Sequence, residues 1–225
     1  MESNRSHTGN NGFTLVELMV VLTIITVITT VVLASQSSFN KTLILANTAY
    51  DIALALRSAE SYGLGSRAAG ATVNAGYGLH FQSGIPNTFI FFADTYPAPS
   101  TSSVCHPIAD ASAPNAQSGN CSYESEQGEK VTSYALGNGI TISDFCAYAL
   151  GSSSCAYAHG GGLSSLDIVF ARPNPEPFIS ANGSYSPPPF RITSACLTIS
   201  SPQGGTQYVS VASSGQITAD ASTCP

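Results

Sequence analysis

The chain has 225 residues, enough for one compact domain and an extended element besides. Only 9% of its residues are charged, against roughly 25% in soluble domains, and none of them lies between Glu17 and Lys41. A formal charge of −6 with only seven Lys plus Arg makes nucleic acid or an anionic membrane face a disfavoured partner.

The first element in chain order is a polar leader, MESNRSHTGNNG, whose single Arg is balanced by Glu2. From Phe13 to Leu33 the chain is apolar apart from Glu17 and a few threonines. As a helix these residues span about 31 Å, the thickness of a bilayer's hydrocarbon core. Thr23, Thr26, Thr29 and Thr30 fit there because their hydroxyls can return to backbone carbonyls. β-Branched residues weaken a helix in water but matter little where the backbone must satisfy itself. The segment is therefore predicted to span a membrane. No small-x-small cleavage site follows it, so it differs from a secretory signal.

The helical pattern then continues. Leu45, Ala49, Ile52, Leu56 and Ala59 recur at three and four, while Lys41, Thr48, Asp51 and Ser58 fall mostly elsewhere. That is an amphipathic helix with one buried stripe. No Pro occurs from 13 to 64, and Gly63 and Gly65 supply the stop. One continuous helix of about 50 residues, roughly 75 Å long, is predicted.

The stretch GFTLVEL, with Gly12, Phe13 and Glu17 ahead of an unbroken apolar run, resembles the class III signal of type IV prepilins and type II secretion pseudopilins. The resemblance implies that a prepilin peptidase cuts between Gly12 and Phe13 on the cytoplasmic side and N-methylates Phe13. It implies a pilin-like α+β fold: a leader at 1–12, a membrane and filament-core helix at 13–33, its amphipathic half at 34–65, and a β-rich head at 66–225. The partners implied are the peptidase, other pilin or pseudopilin subunits, the inner-membrane assembly machinery and, before assembly, the lipid bilayer. The head would lie outside the cytoplasm, first on a single-pass anchor and then on an extracellular or periplasmic filament. A narrower likeness, ALALRSAESYGLGSR at 53–67 followed by YGLHF at 77–81, is similar to the H-type minor pseudopilin group and its pilus relatives.

Glu17 needs a reason to stand inside a greasy segment, since an unpaired buried carboxylate costs several kcal/mol or neutralises. Cleavage would free the amine of Phe13, and pairing Glu17 with that amine on a neighbouring subunit would relieve both charges. Such a pair contributes more to register than to net stability. The plainer alternative leaves Glu17 near the lipid headgroups.

Past Gly65 the pattern changes to short alternating runs bounded by Gly, Pro, Ser and Asn. Strands are predicted at 77–82, 88–94, 139–145, 166–172, 195–201, 207–213 and 215–220, with a hairpin turn at 213–215. Alternation at Ile140 and Ile142, and at Leu166, Ile168 and Phe170, argues half-buried antiparallel strands packed on the amphipathic half of the helix. Residues 95–130 read as a long irregular insertion. The segment 173–190 reads as an exposed surface whose prolines exclude central strands.

All six cysteines, Cys105, Cys121, Cys146, Cys155, Cys196 and Cys224, lie beyond residue 100 with no CxxC pair, which reads as disulfides formed in an oxidising compartment. Several connectivities are open; the expectation is that neighbours pair, 105 with 121, 146 with 155 and 196 with 224. Zinc is the competing reading, but the spacings do not give paired ligands and His106 is a lone histidine beside Cys105. No metal and no cofactor is expected.

No GxSxG, HExxH, P-loop or GxGxxG occurs. His7 falls in the leader, His80 reads as a solvent-side strand residue, and His159 adjoins a glycine run at 160–162 that reads as a flexible loop. Glu124, Glu126 and Glu129 read as a solvated acidic run, because the calcium-loop spacing is missing. The expected function is structural, not enzymatic: a filament subunit of a type IV pilus or type II secretion pseudopilus. The alternative is a filament-borne adhesin or DNA-capture minor pilin, the DNA option being disfavoured by the shortage of basic residues. A membrane-tethered hydrolase is the third option and requires a cleft with convergent Ser, His and Asp.

Overall fold

The computed structural model describes residues 12–65, 67–103, 105–106, 110, 112–113, 116–173, 175–221 and 223–224, with side chains at 35–40 and 220–221 outside the description. The leader through Asn11, including His7, lies outside the described residues. The chain divides into two units, Met1–Asn40 and Lys41–Pro225. Helix α1, Leu15–Leu64, contributes residues to both.

In the first unit, α1 begins behind Thr14, whose hydroxyl oxygen accepts the backbone N–H of Glu17 at 3.2 Å. This caps one of the orphan donors of the first turn. Leu15–Ala34 has a mean hydropathy of 2.5 and no buried residue, and among the described residues it is the one helix long and apolar enough to cross a membrane. Its threonines do what hydrocarbon demands: Thr23 donates to the Val20 carbonyl at 2.8 Å, and Thr26, Thr29 and Thr30 to carbonyls four residues back at 2.7 Å.

The second unit is built on the amphipathic part of α1. Leu45, Ala49, Ile52, Ala53, Leu56 and Ala59 are buried, while Tyr50, Leu54 and Arg57 face outward, as the three-and-four spacing predicts. Small residues in the stripe allow close approach, and at its end Gly63 packs directly on the Phe170 carbonyl, where a Cβ would collide with backbone. Gly63→Ala is therefore expected to destabilise the full chain by about 1–3 kcal/mol through overpacking. Thermal melting of the variant checks this; a midpoint equal to that of the native chain would show that the helix shifts freely.

Among the described residues eleven strands, all paired antiparallel, follow the helix. They are β1 Gly76–Gln82, β2 Thr88–Asp94, β3 Lys130–Ala135, β4 Thr141–Ala149, β5 Ser152–Cys155, β6 Ser165–Phe170, β7 Phe178–Ala181, β8 Ser184–Tyr185, β9 Ile192–Ser200, β10 Thr206–Ala212 and β11 Ile217–Ala221. One sheet runs β3-β2-β1-β6-β7-β8 and the other β11-β10-β9-β4-β5. The main core combines the helix stripe with Leu79, Phe81, Phe91, Leu166, Ile168 and Phe170 of the first sheet and Phe145, Leu197, Ile199, Val209 and Val211 of the second. The architecture is α+β, with α1 packed against antiparallel sheets.

The seven predicted strands are present with shifted ends: β4 runs on to Ala149 and β9 starts at Ile192. The hairpin at 213–215 closes with the Gly215 N–H donating to the Ala212 carbonyl at 2.9 Å. Four strands escaped the pattern. β3 is an exposed edge strand, KVTSYA, and β5 is SSSC; both are held by backbone pairing and lack the apolar alternation that marks a half-buried strand. The reading of 173–190 needs correction, because β7 within it lies between β6 and β8. Its four residues, FISA, contain no proline, and the prolines flank it.

The insertion at 95–130 is, in its described residues, irregular apart from a 3-10 turn, Ser125–Gln127, and the first residue of β3. It covers the outer face of the six-stranded sheet and closes a second small core of Phe92, Cys105, Cys121 and Val169, flanked by Ile90, Tyr123, Phe178 and Tyr185.

Candidate functional site

Two regions hold the chemistry. The first is the start of α1. Thr14, Leu15, Val16 and Glu17 form a Thr-x-x-Glu run with the Thr14 hydroxyl on the Glu17 N–H, so Glu17 occupies the third helical position of a capping-box sequence. An acid there is favoured by the positive end of the helix dipole. Glu17 forms no ion pair with any described residue, and the residues after it as far as Ala34 are apolar or threonine and exposed. Phe13, immediately before the cap, is 82% exposed. The sequence carried this cap, but the dominance of the apolar run masked it.

The second region is the covered face of the six-stranded sheet. Cross-strand register sets His80 of β1 opposite Asp167 of β6 and Asp167 opposite Ser180 of β7. His80 Nδ1 lies 2.6 Å from Asp167 Oδ1, and the His80 ring packs on Tyr123 of the insertion at 4.8 Å between centroids. All of His80, Asp167 and Ser180 are buried. His80 is thus a buried pairing residue, not a solvent-side one. The half-buried strand pattern implied a wet outer face, and the insertion removes that water. Burial pushes the Asp167 carboxyl up, and the His80 hydrogen bond and charge work against this. Ser, His and Asp do converge here, but Ser180 neighbours the carboxylate across the sheet and His80 lies on its other side. A nucleophile held by a base requires the hydroxyl at the imidazole, and this row has another order.

Two more buried acids fasten the insertion. Asp94, at the end of β2, accepts the N–H of Asn120 at 3.1 Å and of Cys121 at 2.8 Å, and its carbonyl accepts the Ser118 hydroxyl at 3.2 Å. Gly119, at φ +103°, lies against the Asp94 carboxylate with no room for a side chain. Burial raises the Asp94 pKa to about 6, against the lowering effect of His106 and the two N–H donors. Glu129 accepts the N–H groups of Thr95 and Tyr96 on Oε1 at 2.8 and 2.9 Å and of Glu124 on Oε2 at 2.9 Å. Burial raises its pKa to about 8; the Glu124 and Tyr96 amides oppose the rise, while the Asp94 charge and the Glu124 side chain add to it.

The acidic run is therefore not uniformly solvated: Glu126 is exposed, Glu124 half-buried and Glu129 only 2% exposed. A buried acid in a Ser/Gly-rich loop gives no periodic signal, which is why composition hid Glu129.

Disulfides join Cys105 to Cys121, Cys146 to Cys155 and Cys196 to Cys224. The first ties the insertion to itself, the second links β4 to β5 across a directly opposed pair, and the third fastens the C-terminal end to β9. Beside the second, Asp144 accepts the N–H groups of Phe145, Tyr157 and Ala158 at 2.9–3.0 Å. His159 and Gly160–Gly162 form a turn with positive φ throughout, the Gly161 N–H donating to the Ala158 carbonyl at 3.0 Å. His106 is buried between Asp94 and the first disulfide, its Nε2 3.7 Å from Asp94 Oδ2.

Residues 8–33 match the family model of the prokaryotic N-terminal methylation motif. No curated protein and no solved structure matches the chain. With the glycine–phenylalanine junction, the capped helix start, Glu17 and the exposed apolar helix in place, the amino-terminal segment of this chain is a class III signal of the type IV pilin and pseudopilin kind.

Proposed function

We propose that the chain is a filament subunit, made as a precursor and cut by a prepilin peptidase between Gly12 and Phe13, which is then N-methylated. Residues 1–12 are the leader removed. Residues 13–33 anchor the subunit in the cytoplasmic membrane with its head outside the cytoplasm, and then form the core of a type IV pilus or type II secretion pseudopilus. In that core Glu17 meets the Phe13 amine of a neighbouring copy. The assembly machinery supplies the work, and this chain supplies the packing surface.

The observation that carries this reading is the lone acid on the first turn of a helix whose following side chains, as far as Ala34, are all exposed. Leaving so much apolar surface in water forfeits about 25 cal/mol for each Å²; lipid first and neighbouring helices later would both recover it. The likeness of residues 53–67 and 77–81 to the H-type group supports a minor place, at or near the filament tip.

Mass spectrometry of the membrane-extracted protein tests the processing. The expected amino-terminal peptide begins with methylated Phe13. Recovery of the chain with residues 1–12 still attached, in cells that contain an active prepilin peptidase, would sink this reading.

A further inference from the structure

The end of β2 meets two points of the insertion at one buried spot. Asp94, Cys105, His106 and Cys121 each offer one ligand atom there, and these atoms all lie within 4.8 Å of one another. All four residues are buried. His106 Nε2 stands 3.7 Å from Asp94 Oδ2 and 3.5 Å from Cys121 Sγ. In a tetrahedral zinc centre with bonds of about 2.0–2.3 Å, neighbouring ligand atoms sit about 3.3–3.8 Å apart. Both of these edges fall in that interval, and the two sulfurs, bonded to each other in the oxidised chain, would part on reduction to reach it.

The donor set is also selective. Two sulfurs, one imidazole nitrogen and one carboxylate oxygen suit Zn²⁺, whereas Ca²⁺ and Mg²⁺ take oxygen ligands. The ligands are already oriented by their surroundings. The Asn120 and Cys121 amides hold the Asp94 carboxylate, and Phe178 packs edge-on against the His106 ring at 4.9 Å. Such outer contacts fix ligand direction in metal sites. Phe92 and Val169 supply a dry wall.

In the oxidised chain both sulfurs are committed to the Cys105–Cys121 bond. We propose that the reduced chain binds one Zn²⁺ through Asp94, Cys105, His106 and Cys121, so that the insertion is anchored by the metal in the reduced state and by the disulfide in the oxidised state. A dithiol reductant gives two electrons and two protons to the disulfide and becomes a disulfide itself, leaving two thiols. Zn²⁺ then takes the two sulfurs as thiolates, and their protons pass to solvent. In reverse, a disulfide oxidant accepts two electrons from the thiolates and two protons from solvent, the S–S bond re-forms and Zn²⁺ leaves.

The sequence did not show this set, because Asp94 stands on a strand and Cys121 is 15 residues from His106. The second group of this kind among the described residues, Asp144 with Cys146 and Cys155, offers three ligand atoms and no histidine.

The test uses the full chain in detergent, reduced with a phosphine and titrated with Co²⁺ as a spectroscopic substitute for Zn²⁺. One tightly held ion per chain is expected, with tetrahedral ligand-field bands and the charge-transfer intensity of two thiolates, displaced by Zn²⁺ and released on re-oxidation. Asp94→Asn and His106→Gln should each weaken binding by about 100-fold or more, while the Cys146→Ser/Cys155→Ser double variant keeps native affinity. A four-thiolate spectrum, the lack of a tight ion, or unchanged affinity in either single variant overturns the proposal. Should a variant lose its fold, as read by circular dichroism, the native chain's spectrum still decides, because it counts the thiolates directly.

Discussion

Glu17→Ala is expected to enter the membrane at the native level and to yield almost no filament. Insertion depends on the apolar run from Leu15 to Ala34, which the substitution makes more apolar. On the proposed pairing, assembly depends on what happens to the Glu17 carboxylate and the Phe13 amine when helices crowd together. Removing one member of a buried pair strands the other, at about 3–5 kcal/mol, enough to reduce incorporation by well over tenfold. The Thr14 cap offers a rival explanation, since Glu17 also belongs to a helix-start sequence, and Glu17→Gln separates the two. Glutamine serves a capping box as glutamate does but cannot neutralise an amine. Sheared-filament yield, normalised to subunit content of the membrane, should collapse for both variants. Native yield from Glu17→Gln would assign the residue to helix capping and remove the pairing role.

The second large effect belongs to Glu129. Glu129→Ala removes the acceptor for the Thr95, Tyr96 and Glu124 amides together. An orphaned buried donor costs about 1–3 kcal/mol, so a loss of about 3 kcal/mol or more is expected. For a domain of this size that is a fall in Tm of roughly 6–12 °C.

Glu129→Gln should cost less, because its amide oxygen keeps the Thr95 and Tyr96 amides and only the Glu124 N–H loses its acceptor. The two variants also part in their pH dependence. The folded pKa of Glu129, about 8, stands above the ordinary value, so the folded state holds the proton more tightly than the unfolded chain. The resulting stabilisation is complete below about pH 4.5, the ordinary glutamate range, and is lost as pH rises through the folded value. Asp94, raised to about 6, acts in the same sense over a lower window. The native midpoint should therefore fall between pH 5 and 9, and the Gln variant should flatten the upper part of that fall. A native midpoint that climbs with pH would contradict the assignment.

What could be read ahead of the structure follows from which forces leave periodic marks. The stripe through Leu45, Ala49, Ile52, Leu56 and Ala59 was legible because burial on one side of a helix repeats every three or four residues. The inner faces of β1, β2 and β6 were legible for the matching reason at period two. β3 and β5 were not, because edge strands are held by backbone hydrogen bonds and their side chains stay wet. The outer face of the first sheet was misjudged through His80: alternation reports only that two faces differ, and a distant loop had dried the second one. Asp94, Glu129 and Asp167 share that history, since each is a polar residue whose partner comes from elsewhere in the chain. At the amino terminus, where the chemistry is contiguous, seven residues carried nearly the whole signal.

The sheet borders have a consequence for crowding. β8 has two residues, β5 is four residues with three serines, and β3 is mostly exposed with Lys130 at its start. Register breaks fall in the pairings of β2 with β3 and of β10 with β11. Short, hydroxyl-rich and kinked borders are poor templates for amyloid-like stacking. In the proposed filament, crowded heads could therefore touch neighbours without zippering into them, which would leave cohesion between copies to the greasy amino-terminal rod.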